Sequence, residues 1–307
     1  MLEWPTPTML DLGRDQVAVY DLGSPAGSLG DVVLLHGMAD MARSLEPLAA
    51  SLRDRFRVIL FDARGHGRST HPGAYSVLHH VADLHAILDR LTIERPILIG
   101  HSLGGHTVAN YSGLFPDRPR LIALLEGMGP PAELRPTHPT ARLANGRAMV
   151  ESLAAPTNHR PQPDLDAATD RLLATHPRLA PDRARVLAEE GTRPGPDGGL
   201  VWRHDERNWH WTTSIDQQAL EERWAAITVP VLAISGAEAW DTWWTNIRGP
   251  GGKRTRLSAE AFEQRLAIFD DLTHVELAEA GHMVHFDQPD QVSELVGRFL
   301  ADRLEPI

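Results

Sequence analysis

The sequence predicts an α/β fold: a mostly parallel sheet flanked by helices, with a helical cap inserted after the sixth strand. Three observations carry that reading. Short continuous apolar runs, in "DVVLLHG", "FRVILFDARGHGRS" and "PILIGHS", lack polar alternation, as strands buried on both faces of a parallel sheet do. Helical patterns separate them, from about Arg43 to Leu52 and from about Val77 to Leu91, which predicts right-handed βαβ units. Residues 127–226 then break the alternation, being rich in proline, arginine and histidine. About a hundred residues cannot form a simple loop inside a compact domain, so they are read as a cap, leaving 1–126 and 227–307 as the core.

From the N-terminus onward, "MLEWPTPTMLDLGRD" has no basic segment leading into an apolar core, so no secretory signal is expected, and no apolar stretch is long enough to span a membrane. The cytoplasm is the expected location. Zero cysteines exclude disulfides, thiolate metal sites and cysteine nucleophiles. A net charge of -11 without any Lys/Arg cluster argues against nucleic-acid or anionic-membrane partners. A small molecule is the expected partner, and a monomer or homodimer the expected assembly.

The run "DVVLLHG" is read as the second strand, with Met38 just past its end. In "FDARGHGRS", Asp62, Arg64 and Ser69 look like a turn-stabilising network. "HHVADLH" contains His79, His80, Asp83 and His85, and is read as the solvated face of a helix rather than a metal site. The next strand, "PILIGHS", gives way to a helix in which Val108, Ala109, Tyr111, Leu114 and Phe115 recur at helical spacing until Pro116. Ser102 therefore lies in a very tight strand-to-helix turn, with Gly100 and Gly104 where backbones come closest. This is G-x-S-x-G, a nucleophile elbow: it exposes the hydroxyl above the sheet edge and aims the N–H of Leu103, at a helix start, toward a developing oxyanion.

Beyond "RLIALLEGMGPP", the inserted segment shows helical stretches in "ATDRLLATHPRLAPDRARVLAEEG", a linker in "PTNHRPQPD" and a mobile turn in "TRPGPDGG". "VPVLAISGAEAW" and "THVELAEAGHMVHF" complete the strands, and "PDQVSELVGRFL" is a final helix. Among eight tryptophans, Trp202, Trp209 and Trp211 fall in the cap, while Trp240, Trp243 and Trp244 follow the seventh strand. Both segments should border a pocket, so Trp202, Trp209, Trp240 and Trp243 are read as an aromatic lining for an apolar or ring-containing substrate.

With "LLHGM", "FDARGHGRS", "GHSLGG" and "AGHMVHFDQP" occurring in order at strand ends, the chain resembles the α/β-hydrolases along nearly its whole length. The resemblance implies Ser102 as nucleophile, His282 as general base, and an oxyanion hole built from the backbone N–H groups of Met38 and Leu103. It casts His36 and His66 as loop-holding residues and His285 as a surface histidine. No cofactor or metal is implied. Haloalkane dehalogenases and epoxide hydrolases are similar in layout but carry aspartate at the elbow, which Ser102 excludes. A serine gives an acyl-enzyme, so the resemblance implies hydrolysis of a carboxylic ester or lactone. The alternatives are carbon–carbon cleavage of diketones and a non-catalytic small-molecule receptor.

The third triad member departs from the commonest family pattern. The usual aspartate position after the seventh strand, in "ISGAEAWDTWW", holds Ala239. Glu126, ending "LIALLE" after the sixth strand, is the preferred acid, because a carboxylate there sits on the same sheet edge as Ser102 and His282. Asp241, equally explicable as a helix N-cap, and Glu238 remain the alternatives.

Overall fold

The computed structural model describes residues 2–128, 139–155, 161–196, 198–209, 216–239 and 259–304. Eight strands form one sheet in the order β1-β2-β4-β3-β5-β6-β9-β10. They are β1 (Thr8–Asp11), β2 (Gln16–Asp21), β3 (Asp31–Leu35), β4 (Arg57–Phe61), β5 (Ile97–His101), β6 (Leu121–Leu125), β9 (Val231–Gly236) and β10 (Leu272–Leu277). All pairings from β4 to β10 are parallel; only β1 with β2, and β2 with β4, run antiparallel. The sheet is therefore mostly parallel, as predicted, but "DVVLLHG" is its third strand in chain order rather than its second. The hairpin ahead of it escaped the sequence reading because β1 is short and exposed, with no buried alternation to betray it.

Side-chain alternation explains why the central strands read as continuous apolar runs. Val33, Leu35, Ile59, Leu98 and Ile122 pack on one face against α2 (Val77–Arg90), α3 (Leu103–Leu114) and α7 (Gln217–Ala225). Their neighbours Val32, Leu34, Val58, Ile97 and Leu121 face the other way, against α1 (Glu46–Leu52) and the last helix, α10 (Pro289–Arg303). Each strand thus supplies two cores, and every position must be apolar.

The solvated-face reading of "HHVADLH" needs correction. His80 and Asp83 are buried, at 4% and 2% exposure, because they lie on the face of α2 turned toward the sheet. Asp83 holds Arg64 through two hydrogen bonds of 2.6 Å, a buried bidentate pair that satisfies both charges. His79 instead completes the N-cap of α2 with Ser76, and His85 stacks on Phe115.

Between β6 and β9 the chain leaves the sheet and forms α4 (Pro139–Ala154), α5 (Leu165–Thr175), α6 (Pro181–Gly191) and α7, and α8 (Ala259–Leu266) follows ahead of β10. The proline-glycine stretch read as a mobile turn closes a hairpin of β7 (Thr192–Pro194) and β8 (Leu200–Trp202), with Gly198 and Gly199 at positive φ. Gln162, at the end of the expected linker, pairs with Leu200 of this hairpin, whereas residues 156–160 lie outside the described chain. Polar contacts tie the inserted segment to the core. Arg183 bonds Glu46 and the carbonyl of Arg43. Glu190 receives Arg43 and Arg68. Asp205 accepts the Tyr75 hydroxyl at 2.5 Å and the Arg207 guanidinium. No helix among the described residues is long and apolar enough to cross a membrane.

Candidate active site

Ser102 stands between β5 and α3 with φ +50 and ψ -114, a backbone conformation that costs energy for any residue with a side chain. Its neighbours explain how the turn closes. A Cβ on Gly100 would lie 2.3 Å from the Gly104 backbone, and one on Gly104 would lie 2.3 Å from the Leu35 carbonyl oxygen. Only glycine lets the helix approach the strands this closely. The result puts the Ser102 hydroxyl at the carboxyl edge of the sheet, where it borders a cavity.

His282 arrives from the loop after β10. That loop is pinned twice: the Gly281 N–H donates to Asp287 at 2.6 Å, and the His101 ring donates from Nε2 to the His282 carbonyl at 2.9 Å. The imidazole then reaches Ser102 Oγ from Nε2 at 3.0 Å, leaving Nδ1 facing Glu126 Oε2 at 3.1 Å. Glu126 itself lies just past β6 at φ +50, and its second oxygen accepts the Gly236 N–H at 2.8 Å. That backbone bond orients the carboxylate, so the free oxygen is the one presented to the imidazole. Ser102, His282 and Glu126 therefore form one continuous hydrogen-bonded chain.

The other acid candidates fare differently. Glu238 follows β9, but its carboxylate receives the Arg178 guanidinium at 2.8 and 3.0 Å, joining the core to the inserted segment. Asp241 lies outside the described residues, as do Trp240 and Trp243.

Met38 and Leu103 flank the serine. Leu103 is the first residue of α3, so its N–H has no carbonyl one turn back to bond, and Met38 lies on the loop after β3 that lines the cavity. The loop is shaped by two buried histidines. Nε2 of His36 accepts the Ala63 N–H at 2.9 Å, and Nε2 of His66 accepts the Ala39 N–H at 3.1 Å, holding Ala39 at φ +56. Burial pushes the His66 pKa well below its ordinary value, which keeps the ring neutral and able to accept. Asp62 bonds the N–H groups of Ala42 and Arg68 and the Tyr20 hydroxyl, while Ser69 donates to the Asp62 carbonyl. These are structural roles.

The surface reading of His285 is overturned: only 3% of it is exposed, because the short helix α9 (Val284–Asp287) folds back under the His282 loop. Sequence reasoning had no signal for this, since "HMVHF" leaves the direction of either histidine open.

The cavity above Ser102 holds about 660 Å³, within the range of small-molecule sites. Its apolar lining comes from Met41 and Phe286 of the core and from Leu172, Leu187, Trp202 and Trp209 of the inserted segment. Leu187 and Phe286 also pack together in a small cluster of their own, so the inserted segment and the His282 loop share a core. A hydroxyl, a base oriented by an acid, and backbone donors at the floor of a cavity lined by both apolar and charged side chains are the parts needed for acyl transfer.

Sequence and structure comparisons agree with this architecture. The profile of a family described as alpha/beta hydrolase fold matches residues 32–289. A serine hydrolase-like protein of Danio rerio is 28% identical over 279 residues, covering 88% of this chain and 81% of its own. A 2-(acetamidomethylene)succinate hydrolase of Mesorhizobium japonicum is 27% identical over 293 residues, covering 95% and 94%. Among solved structures, the thioesterase domain from the curacin biosynthetic pathway superposes with a TM-score of 0.80 at 22% identity, over 97% of this chain and all of its own.

Proposed function

Because the chain belongs to the α/β-hydrolase fold family, whose relatives here are hydrolases, we propose that it is a serine hydrolase cleaving a carboxylic ester or lactone of an apolar or aromatic substrate. The observation that carries the proposal is the hydrogen-bonded chain from Ser102 through His282 to Glu126 at the floor of the cavity.

In the reaction, Nε2 of His282 takes the Ser102 proton as Oγ attacks the substrate carbonyl. The imidazolium so formed is stabilised by Glu126, whose geometry holds the proton on Nδ1 in the resting ring. The oxyanion is received by the N–H groups of Met38 and Leu103, donors fixed before the substrate arrives. Collapse passes the proton from His282 to the leaving oxygen and leaves an acyl group on Ser102. Water, activated by the same imidazole, then releases the acid. A lactone follows the same course, with the leaving alcohol remaining tethered to the acyl group. The inserted segment acts as a cap, and Trp202 and Trp209, which it contributes to the cavity lining, favour flat or apolar acyl and alkoxy groups.

The test is turnover of a panel of p-nitrophenyl esters of rising chain length and of aromatic lactones, by wild type and Ser102→Ala. The proposal expects measurable hydrolysis and a loss on the order of a million-fold in the folded variant. More than a tenth of the activity remaining in Ser102→Ala would overturn it.

A further inference from the structure

A second cluster lies behind the triad. Asp40, on the loop past Met38, His101, the residue before Ser102, and His285, three residues after His282, are all buried, and each offers one donor atom within 4.8 Å of the other two. Among the described residues, neither ring nitrogen of His285 has a hydrogen-bond partner, and nor does Nδ1 of His101. His285 Nε2 and Asp40 Oδ2 stand 3.8 Å apart, an electrostatic approach too long for a hydrogen bond. Three orphaned nitrogens in so small a volume are costly, since each buried unmet donor or acceptor costs about 1–3 kcal/mol.

The chemistry of the cluster is specific. His101 donates from Nε2 to the His282 carbonyl, so its Nδ1 carries the lone pair, and it lies beside Gly37. A histidine that ligates a metal commonly holds its other nitrogen this way, which fixes both tautomer and ring orientation. Burial, aided by the neighbouring His285 and His282, keeps the His101 pKa well below its usual value, so that lone pair persists. At Asp40, burial opposes ionisation, but His285, His36 and the Ser44 hydroxyl outweigh it and hold the carboxyl at about 2. No Arg or Lys among the described residues lies within ion-pair distance of this buried anion. Asp40 and His101 both line the main cavity, which supplies an entry path.

We propose that Asp40, His101 and His285 form a binding site for a divalent first-row transition metal such as Zn²⁺, and that filling it lowers turnover. Two imidazoles and one carboxylate are a donor set suited to Zn²⁺, leaving a fourth position for water. Metal–ligand bonds of about 2.0–2.2 Å bring donors to roughly 3.4 Å from one another, so binding draws the three elements together by about 1 Å. The catalytic effect rests on the triad reading given above. The His101 ring lies 5.1 Å from that of His282. Drawing His101 and His285 inward moves the residue before Ser102 and the helix just after His282, and so disturbs the 3.0 Å contact of His282 Nε2 with Ser102 Oγ.

The experiment titrates the whole protein with Co²⁺ and with Zn²⁺, reading uptake by equilibrium dialysis and by Co²⁺ visible absorption, with ester turnover measured on the same samples. Wild type, His285→Gln and Asp40→Asn are compared, each checked for folding by circular dichroism. The expected result is one ion per chain in wild type, at least tenfold weaker binding in both variants, and turnover that falls with occupancy in wild type but resists metal in the variants. Unchanged affinity in either folded variant, or no uptake by wild type, would overturn the site. Inhibition at the same metal concentration in all three proteins would place the ion elsewhere and overturn the proposal. Full occupancy with unaltered turnover would overturn its inhibitory part. Were the protein to turn over no ester at all, the binding measurements would still decide the site, separately from the triad reading.

Discussion

Replacing Glu126 with glutamine removes a charge while keeping the size of the side chain, and the two hydrogen bonds of the carboxylate give the cost. One oxygen accepts the Gly236 N–H at 2.8 Å and the other faces Nδ1 of His282 at 3.1 Å, so both positions call for an acceptor. Glutamine has only one. With its oxygen kept on Gly236, its NH₂ donates to Nδ1 and forces the ring proton onto Nε2, where the imidazole can no longer accept from Ser102. With the amide reversed, NH₂ meets the Gly236 N–H, an unmet donor that costs about 1–3 kcal/mol, or roughly five- to 150-fold. Lost stabilisation of the imidazolium adds to either penalty, and the total expected is about ten-thousand-fold in kcat, or about 5.5 kcal/mol of transition-state stabilisation. The assay is kcat on one activated ester at neutral pH, for Glu126→Gln, Glu238→Gln and Asp241→Asn. Glu238 serves a partly exposed ion pair with Arg178, worth about 0–1 kcal/mol, so its variant should stay within a few-fold of wild type. The reasoning is refuted if Glu126→Gln keeps more than a tenth of wild-type kcat, or if Asp241→Asn collapses in its place.

Other consequences can be checked independently. Trp202→Ala, which removes a ring from the cavity lining, should raise KM for bulky aromatic esters severalfold and leave p-nitrophenyl acetate almost unchanged; equal effects on both would show that this ring does not select substrate. Asp205 is opposed by burial, but its bonds to Arg207 and Tyr75 outweigh that and hold its pKa at about 2. Its contribution to stability is therefore complete above the unfolded value of about 3.9 and is lost as pH falls toward 2. Acid unfolding of Asp205→Asn should consequently show a shallower limb over that window, and an identical limb would remove Asp205 from the docking of the inserted segment. Asp83→Ala leaves the Arg64 guanidinium, buried at 2% exposure, with only the longer 3.5 Å ion pair to Asp15 among the described residues, and urea unfolding should register a loss of up to about 3–5 kcal/mol, a loss under 1 kcal/mol being contrary to the account.

The sheet was legible because its strands bury both faces: Val32 and Val33 belong to opposite cores, so the apolar run is unbroken and unmistakable. The elbow was legible for a steric reason, since Gly100 and Gly104 each face another backbone at distances no Cβ allows. Position along the strands also brought Glu126 to the edge that carries Ser102 and His282, where the three now share hydrogen bonds. What stayed hidden depended on direction rather than on pattern. The burial of His285 and His80 is decided by how α9 and α2 lie against the rest of the protein. The exposed strand β1 carries no apolar signature, and the β7–β8 hairpin shows only its glycines, which suit a tight turn as well as a loose one.

The central claim is that Ser102 is a nucleophile made reactive by His282. Intact-mass analysis after incubation with a fluorophosphonate, followed by peptide mapping, tests it without any assumption about the natural substrate. The account predicts one adduct per chain, located on Ser102, absent in Ser102→Ala and formed far more slowly in His282→Ala. A folded wild-type protein that takes up no phosphonate, or takes it up on another residue, would contradict it.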